Sequence, residues 1–429
     1  MSAAELRSAE RRDAITKLGT APRGAVVVGA HVNGLGVVRS LAPLGIPVAV
    51  VSTRPFDVAH RSRDVVASVN LPGFHEDPES LLDVLDAHAR EWHGWALFPT
   101  NDDAVIVLSQ HHERLSKQFR PTVPPWDVMG PLVDKDRMHE LASRVGLDVP
   151  RCHGEAGPDL DPRSVTFPAI VKPIRHDRLI SAAGVKLFLA RDPAELAAAC
   201  ARLASAGVRG LVYEMVPGPD SEIHVYCVYV GEDGEPSAGA TVRKLRQNPP
   251  GIGGARVAEI VAEEPELREA SVELLRRAGF RGIAFVEFKR DPSSGRFRFI
   301  EVNGRPVLFN RLPARAGVDL VRMAWSELCG DRPSGRPNGW RGAWIDFQAD
   351  LFCALFLRRV ERLRLADYVA PYRGRKIFAV WSARDPGPCL AQIGRAGRDL
   401  TSSLVDRDSR RALLRRLRPG DPGTEPPRG

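Results

Sequence analysis

None of the six cysteines, Cys152, Cys200, Cys227, Cys329, Cys353 and Cys389, forms a CxxC pair, and no Cys/His cluster has zinc spacing. A zinc module and a disulfide framework are therefore not expected, and isolated thiols of this kind suit a reducing cytoplasm. Long apolar runs are also missing. The longest, Leu351 to Leu357, is far too short to span a bilayer, and residues 1–20 alternate charge without an apolar core, unlike a secretory signal. No GxSxG or HExxH occurs, and no internal repeat. Gly29-Ala-His-Val-Asn-Gly34-Leu-Gly36 lacks the GxGxxG spacing, and Leu35 stands where a P-loop has lysine. Nucleic-acid binding finds no support either. Residues 390–429 hold nine Arg against five Asp and Glu, half of the net charge of +8, and no aromatic interleaving accompanies them, so they read as a solvated tail.

What remains is ordinary globular material. A chain of 429 residues with 43% hydrophobic and 27% charged side chains can build two or three domains with real cores. Residues 1–22 read as a flexible leader. From Gly24 short apolar strands alternate with helices: Ala25–Gly29, a helix over 36–44, Pro47–Ser52, a helix over 78–92, and Trp95–Pro99. That alternation predicts a parallel sheet over 23–130. A helix from Lys135 to Val145 opens a second unit. Strands at 169–172 and 185–189, a helix over 193–206 and a strand at 211–215 follow. The pattern then turns to hairpins: 222–230 with 237–245, and, after a helix over 265–278, 283–289 with 296–302. Beyond 335, a helix over 343–364 is expected to place Trp344, Phe347, Leu351, Leu355 and Phe356 on one side. Residues 408–429 read as disordered.

The second hairpin carries the chemistry. Its turn centres on Ser294, so folding the strands about that residue sets Glu287 opposite Glu301, with Asn303 two further on and on the same face. Like charges directly opposite on a sheet are destabilising. Two carboxylates and an amide oxygen converging there point to a hard cation such as Mg²⁺, which takes one or two carboxylates beside phosphate oxygens. A solvated edge with the register one residue off is the competing reading.

Ile300-Glu-Val-Asn-Gly-Arg-Pro306 resembles the E-x-N-x-R signature of the ATP-grasp superfamily, and the other parts of that pattern occur in order. Lys135 opens a helix, Lys172 sits at a strand end in Ile-Val-Lys-Pro, Glu214-Met215-Val216-Pro-Gly218 resembles the adenine-binding hinge, and Glu222 follows at the ribose position. The resemblance spans roughly 25–330. It implies an N-terminal parallel α/β domain over 23–130 and a two-lobed ATP-grasp domain over 131–335, with the small lobe at about 136–215 and the large lobe at about 216–335. A helical C-terminal extension over 336–407 and the tail from 408 complete the organisation. The implied cofactors are ATP and Mg²⁺ or Mn²⁺, with Glu287, Glu301 and Asn303 as metal ligands. Lys135 and Lys172 would neutralise phosphates, Glu214, Met215 and Val216 would meet adenine, and Glu222 would meet ribose. Arg305 would hold the transferring phosphoryl group, and a salt bridge to Glu301 is its structural alternative.

Within the superfamily the chain looks most like carboxylate–amine ligases and D-aspartate ligases, partly through Arg243-Lys-Leu-Arg-Gln-Asn-Pro-Pro-Gly251. That likeness implies a flap over 248–254, with Lys244 reaching the γ-phosphate and Arg243 a substrate carboxylate. Asp102 and Asp103, after a first-domain strand, could contact the acceptor amine or cap a helix. One departure stands out: 174–184, where many relatives carry a glycine-rich lid, holds a single glycine. The activity implied is ATP-dependent joining of a carboxylate to an amine through an acyl phosphate. Bicarbonate-dependent carboxylation and non-catalytic ATP binding are the alternatives. Small-molecule carboxylate and amine partners, a homodimer, and neither nucleic acid nor membrane contact are expected.

Overall fold

Four consecutive apolar residues, Ala25–Val28 (β1), are fully buried, which requires cover on both faces and therefore a central strand. The computed structural model, which describes residues 22–54, 57–174, 187–356 and 363–405, meets that requirement. β1 pairs in parallel with Val48–Ser52 (β2) and Ala96–Pro99 (β4), while Val65–Asn70 (β3) and Arg120–Pro121 (β5) close the edges in the order β3-β2-β1-β4-β5. Side chains alternate between two cores: Val27 and Val50 face one, Val26 and Val28 the other. β3 alternates half-buried and exposed residues, as an edge strand does, and sequence reading passed over it. Chain reversal after β1 depends on glycine. Gly29 has φ +93°, and a Cβ on Gly34 would lie 2.1 Å from the Gly29 carbonyl oxygen.

Next come four strands in the order β6-β9-β7-β8: Cys152–Glu155, Gly210–Glu214, Ala169–Pro173 and Phe188–Ala190. The helix Pro193–Ser205 covers this sheet with Leu196, Ala199 and Leu203. Asp192 caps it, accepting from Glu195 N at 2.8 Å. The glycine-poor stretch anticipated as a lid, 174–184, lies from residue 175 onward outside the described residues. So do the leader at 1–21 and the tail at 408–429.

The third sheet is the largest, with the order β14-β13-β10-β11-β12-β15-β16. Ile223–Val230 (β10), Pro236–Asn248 (β11), Gly254–Ile260 (β12), Gly282–Arg290 (β13) and Phe297–Asn303 (β14) pair antiparallel, in agreement with the hairpin pattern in the sequence. β12 was not anticipated, because 248–254 read as a free flap. It is a pinned turn instead. Asp220 accepts from Gln247 N at 2.9 Å and from Gly251 N at 3.0 Å, and Gly253 N donates to Pro249 O.

Two short strands beyond residue 335, Ala343–Ile345 (β15) and Lys376–Phe378 (β16), extend this sheet. The expected helix over 343–364 is corrected accordingly: Trp344 is a buried strand residue, and the helix is Phe347–Phe356. Its apolar stripe is not the face that packs inward. Phe347, Leu351 and Leu355 are exposed, whereas Asp350 is fully buried. The cause is charge pairing. Asp350 accepts from Arg246 Nε at 2.7 Å, Arg256 Nε at 2.8 Å and the Tyr372 hydroxyl at 2.6 Å. Two buried guanidiniums need an anion more than this helix needs to bury leucine. Among the described residues no helix is long and apolar enough to cross a membrane.

Candidate active site

Along β13 the apolar face runs Ile283, Phe285 and then Glu287 and Lys289, because every second residue shares a face. The core thus passes into a charged cluster at one end of the strand. Glu287 pairs with Glu301, as sequence reading expected. The hairpin frame is one residue off, however: Arg290 pairs with Phe297 and Phe288 with Phe299, and a bulge beside Glu287 takes up Ile300. That extra residue turns Glu301 and Asn303 onto the Glu287 face. Bulges often re-aim side chains in this way beside functional sites.

The two carboxylates differ in surroundings. Glu287 is 7% exposed and accepts from Lys244 Nζ at 2.6 Å. Burial pushes its carboxyl up, Lys244 pulls it back, and Glu301 adds to the rise. Glu301 accepts from Asn303 Nδ2 at 3.1 Å and lies 3.9 Å from Lys135 Nζ. Burial alone would raise it, but Lys135, Lys172 and Lys244 outweigh burial and hold it down to about 2. Three lysines from three elements thus surround the acidic pair. Lys135 opens the helix Lys135–Arg144 behind its cap Asp134, Lys172 lies near the end of β7, and Lys244 is on β11.

Lys172 is the most perturbed of the three. Burial and Lys135 lower it from 10.5 to about 8, against the pull of Glu301 and Glu287. Its ammonium stands 5.7 Å over the Tyr213 ring, and the Tyr213 hydroxyl hydrogen-bonds Asp136. With Asp134, Lys135, Ile174 and Leu211 these residues line a shallow recess. His139, one helical turn after Lys135, was not singled out from sequence. It is buried between Tyr213 and Phe299, and Nε2 donates to Ile300 O at 3.0 Å, which steadies the bulge. Burial, with Lys172 and Lys135 nearby, lowers its pKa.

The hinge follows β9. Glu214 is held bidentately by Arg298 on β14 at 2.8 and 3.0 Å, and this contact, before any other cause, lowers its carboxyl. Its side chain is therefore committed to Arg298. Met215 N donates to Pro168 O at 3.1 Å, and Val216 is buried. Glu222 accepts from Arg290 Nε at 2.9 Å.

Arg305 and Asp102 meet across the boundary between the first domain and the large sheet. Arg305 Nε and one terminal nitrogen both lie 2.7 Å from Asp102 Oδ1. Arg305 is thus paired with Asp102 rather than with Glu301. Asn101, not Asp102, caps the helix Asp102–Gln110, accepting from Ala104 N at 2.9 Å. Asp103 hydrogen-bonds His75 Nδ1, and Arg54 Nε donates to His75 Nε2 at 2.9 Å. Close packing fixes this boundary: a Cβ on Gly36 would lie 2.0 Å from Asn310 Oδ1, while Asn310 Nδ2 donates to Asn33 O at 3.0 Å.

Arg243 stands apart from this cluster. It neighbours Lys244 on β11 and so points to the opposite face, where its Nε donates to Glu259 at 3.0 Å. It does not share a face with the acidic pair. Lys289, also missed, does share that face and is 5% exposed. The period of two that picked out Glu301 and Asn303 would have found it two residues after Glu287.

The donor set suits a hard cation beside phosphate. Among the described residues no group of three His, Cys, Asp or Glu side chains is arranged to hold a metal by itself. Two carboxylates and one amide leave coordination positions for phosphate and water oxygens, as Mg²⁺ prefers.

A model of the ATP-binding domain of the carbamoyl-phosphate synthase L chain matches residues 260–326, which include the acidic hairpin. Comparison with curated proteins finds no match. Among solved structures the chain is similar to pyruvate carboxylase from Rhizobium etli, at 18% identity and TM-score 0.58, with 75% of this chain covered. It spans only 31% of that carboxylase. It is also similar to N5-carboxyaminoimidazole ribonucleotide synthetase from Thermus thermophilus, at 18% identity and TM-score 0.56, over 74% of this chain and 82% of that one. L-amino acid ligase from Bacillus licheniformis gives 18% identity and TM-score 0.54, over 71% and 74%. Taken with the order of the three sheets, these likenesses establish that the chain has the ATP-grasp fold.

Proposed function

We propose that the chain is an ATP-dependent ligase that joins a carboxylate to an amine through an acyl phosphate, with release of ADP and phosphate. The observation that carries this reading is the convergence of Glu287, Glu301 and Asn303 with Lys135, Lys172 and Lys244. Acid and base in one buried cluster form a receptor for a polyphosphate and its counterion. The chain's own residues divide the work. Lys135, Lys172 and Lys244 would meet phosphate oxygens, the hinge around Met215 and Val216 the base, and Glu222 the ribose. Glu287, Glu301 and Asn303 would hold Mg²⁺ or Mn²⁺, which offsets charge on the phosphates when bound.

A substrate carboxylate oxygen would attack the γ-phosphorus, and the bond to the β–γ bridging oxygen would break with its electron pair leaving on ADP. Arg305, a fixed fork beside Glu301, would offset the charge that develops on the transferred group. An amine nitrogen would then attack the acyl carbon, expel phosphate and lose its proton to solvent or a nearby carboxylate. Asp102, bonded to Arg305 and at the carboxyl end of β4, lies where a first-domain acceptor would reach the acyl group. Catalysis is chiefly positioning and electrostatics, and no protein nucleophile is required.

A second reading, carboxylation with bicarbonate as phosphate acceptor, draws support from the carboxylase among the similar structures. The test is an ADP-release screen of amino acids and small acids, singly and in pairs, with mass spectrometry of the products. Amide formation with a pair supports ligation, and ADP release with bicarbonate alone favours the second reading. Tight Mg-ATP binding without turnover on any pair would overturn both.

A further inference from the structure

Lys289 has no place in the roles just given, and its position is costly. It is 5% exposed, on a face whose neighbours across and along the sheet are Ile223 and Glu287. Among the described residues no group hydrogen-bonds or ion-pairs with its ammonium, and Asp220, Glu287 and Glu222 act on it only at longer range. Each of those carboxylates is engaged elsewhere. Asp220 accepts from the backbone of Gln247 and Gly251, Glu222 from Arg290, and Glu287 from Lys244. Burial of the side chain weighs against its charge, and the tip that still reaches solvent has no ionic partner among the described residues. An anion from outside the chain would remove that penalty.

Its place on the strand says which anion. Lys289 lies two residues from Glu287, about 7 Å along β13, on the side toward the hinge. Across the sheet it pairs with Arg298, which grips Glu214 of the hinge, and with Ile223, which follows Glu222. It therefore stands between the phosphate end of the cleft and the sugar end. In a nucleoside triphosphate laid along that line, the anionic group between the terminal phosphates and the ribose is the α-phosphate. Resting on the nucleotide site argued above, we propose that Lys289 binds the α-phosphate. Its aliphatic stem lines the floor of the cleft and its ammonium donates to an α-phosphate oxygen.

Titration calorimetry with ATP, ADP, AMP and adenosine in Mg²⁺, on the wild type and Lys289→Met, tests this. The variant is expected to weaken ATP, ADP and AMP by a common factor of about tenfold, the loss of one charge-assisted hydrogen bond, and to leave adenosine unchanged. Without ligand it should melt at a higher temperature than the wild type. Lys289→Arg should recover most of the AMP affinity. Unchanged AMP and ADP binding in Lys289→Met overturns the assignment while leaving the nucleotide site intact. Equal weakening of adenosine, with a lower melting temperature, assigns Lys289 a structural role and also overturns it. A wild type that binds none of the four overturns the nucleotide site itself.

Discussion

Lys172→Met should stabilise the empty protein and weaken its hold on nucleotide, and the size of the first effect follows from the structure. Lys172 carries its proton only below about pH 8 when folded, against 10.5 for a free lysine, chiefly because it is buried and faces Lys135. A shift of that size corresponds to about 3 kcal/mol of penalty for the charged form in the folded state. Below pH 8 both states are protonated and the whole penalty applies. Between pH 8 and 10.5 the unfolded chain binds the proton and the folded one does not, so stability rises with pH across that window. Above 10.5 neither state is protonated and the penalty is gone. Urea unfolding of wild type and variant at pH 7, 8, 9 and 10 isolates this group from all others that titrate in the range. The variant should be more stable by about 3 kcal/mol at pH 7, and the gap should close toward pH 10. Saturating Mg-ATP should reverse the order, because phosphate oxygens stabilise the ammonium and the variant loses about 1.5–3 kcal/mol of binding. A variant less stable than wild type at pH 7, or a gap that ignores pH, would refute the reasoning.

Two further substitutions separate site from scaffold. Glu301→Gln should abolish turnover and leave the circular dichroism spectrum close to wild type, while the melting temperature falls at neutral pH because three lysines lose the carboxylate they hold ionised. Unchanged activity would reject Glu301 as a metal ligand. Asp350→Asn removes the anion shared by Arg246, Arg256 and Tyr372 and leaves two guanidiniums buried without a full counter-charge. It should cost about 3–5 kcal/mol in urea unfolding, and a loss under 1 kcal/mol would show that the network is solvated in practice.

Fold class was legible because the buried strands differ in their residue pattern and in the turns beside them. β1 and β2 are continuous apolar runs and read as central parallel strands, while β10 and β13 carry polar residues at one end and sit beside turn signals. Elements whose apolar count is low were missed. β3 shows every second residue to solvent, and β12 follows a Pro/Gly-rich turn that resembles a flap until Asp220 is seen to hold it. The helix Phe347–Phe356 misled most, because hydrophobic periodicity assumes that burial is driven by apolar area. Here the buried face is chosen by Asp350, whose partners lie about a hundred residues away on β11 and β12. Nothing local in the sequence records such a long-range ion pair.

At the site, types and order were legible and facing was only partly so. Lys244 and Arg243 are adjacent, so at most one could share a face with Glu287, and the alternation rule alone would have excluded one of them. The acidic pair is the subtler case. A hairpin in the frame of Arg290 and Phe297, continued without interruption, would set Glu287 opposite Ile300. Glu301 would then pair with Val286, on the opposite face of the sheet from Glu287. The carboxylates meet only because one residue is bulged out and held by His139 through the Ile300 carbonyl. Folding the sequence about Ser294 placed the pair correctly with a turn centre half a residue off, and the bulge made up the difference. The argument from repulsion explains why such a bulge persists. Bringing two carboxylates together is unfavourable on a bare sheet, so a register that forces the meeting, surrounded by three lysines, is what a site built for a polyphosphate and its cation requires.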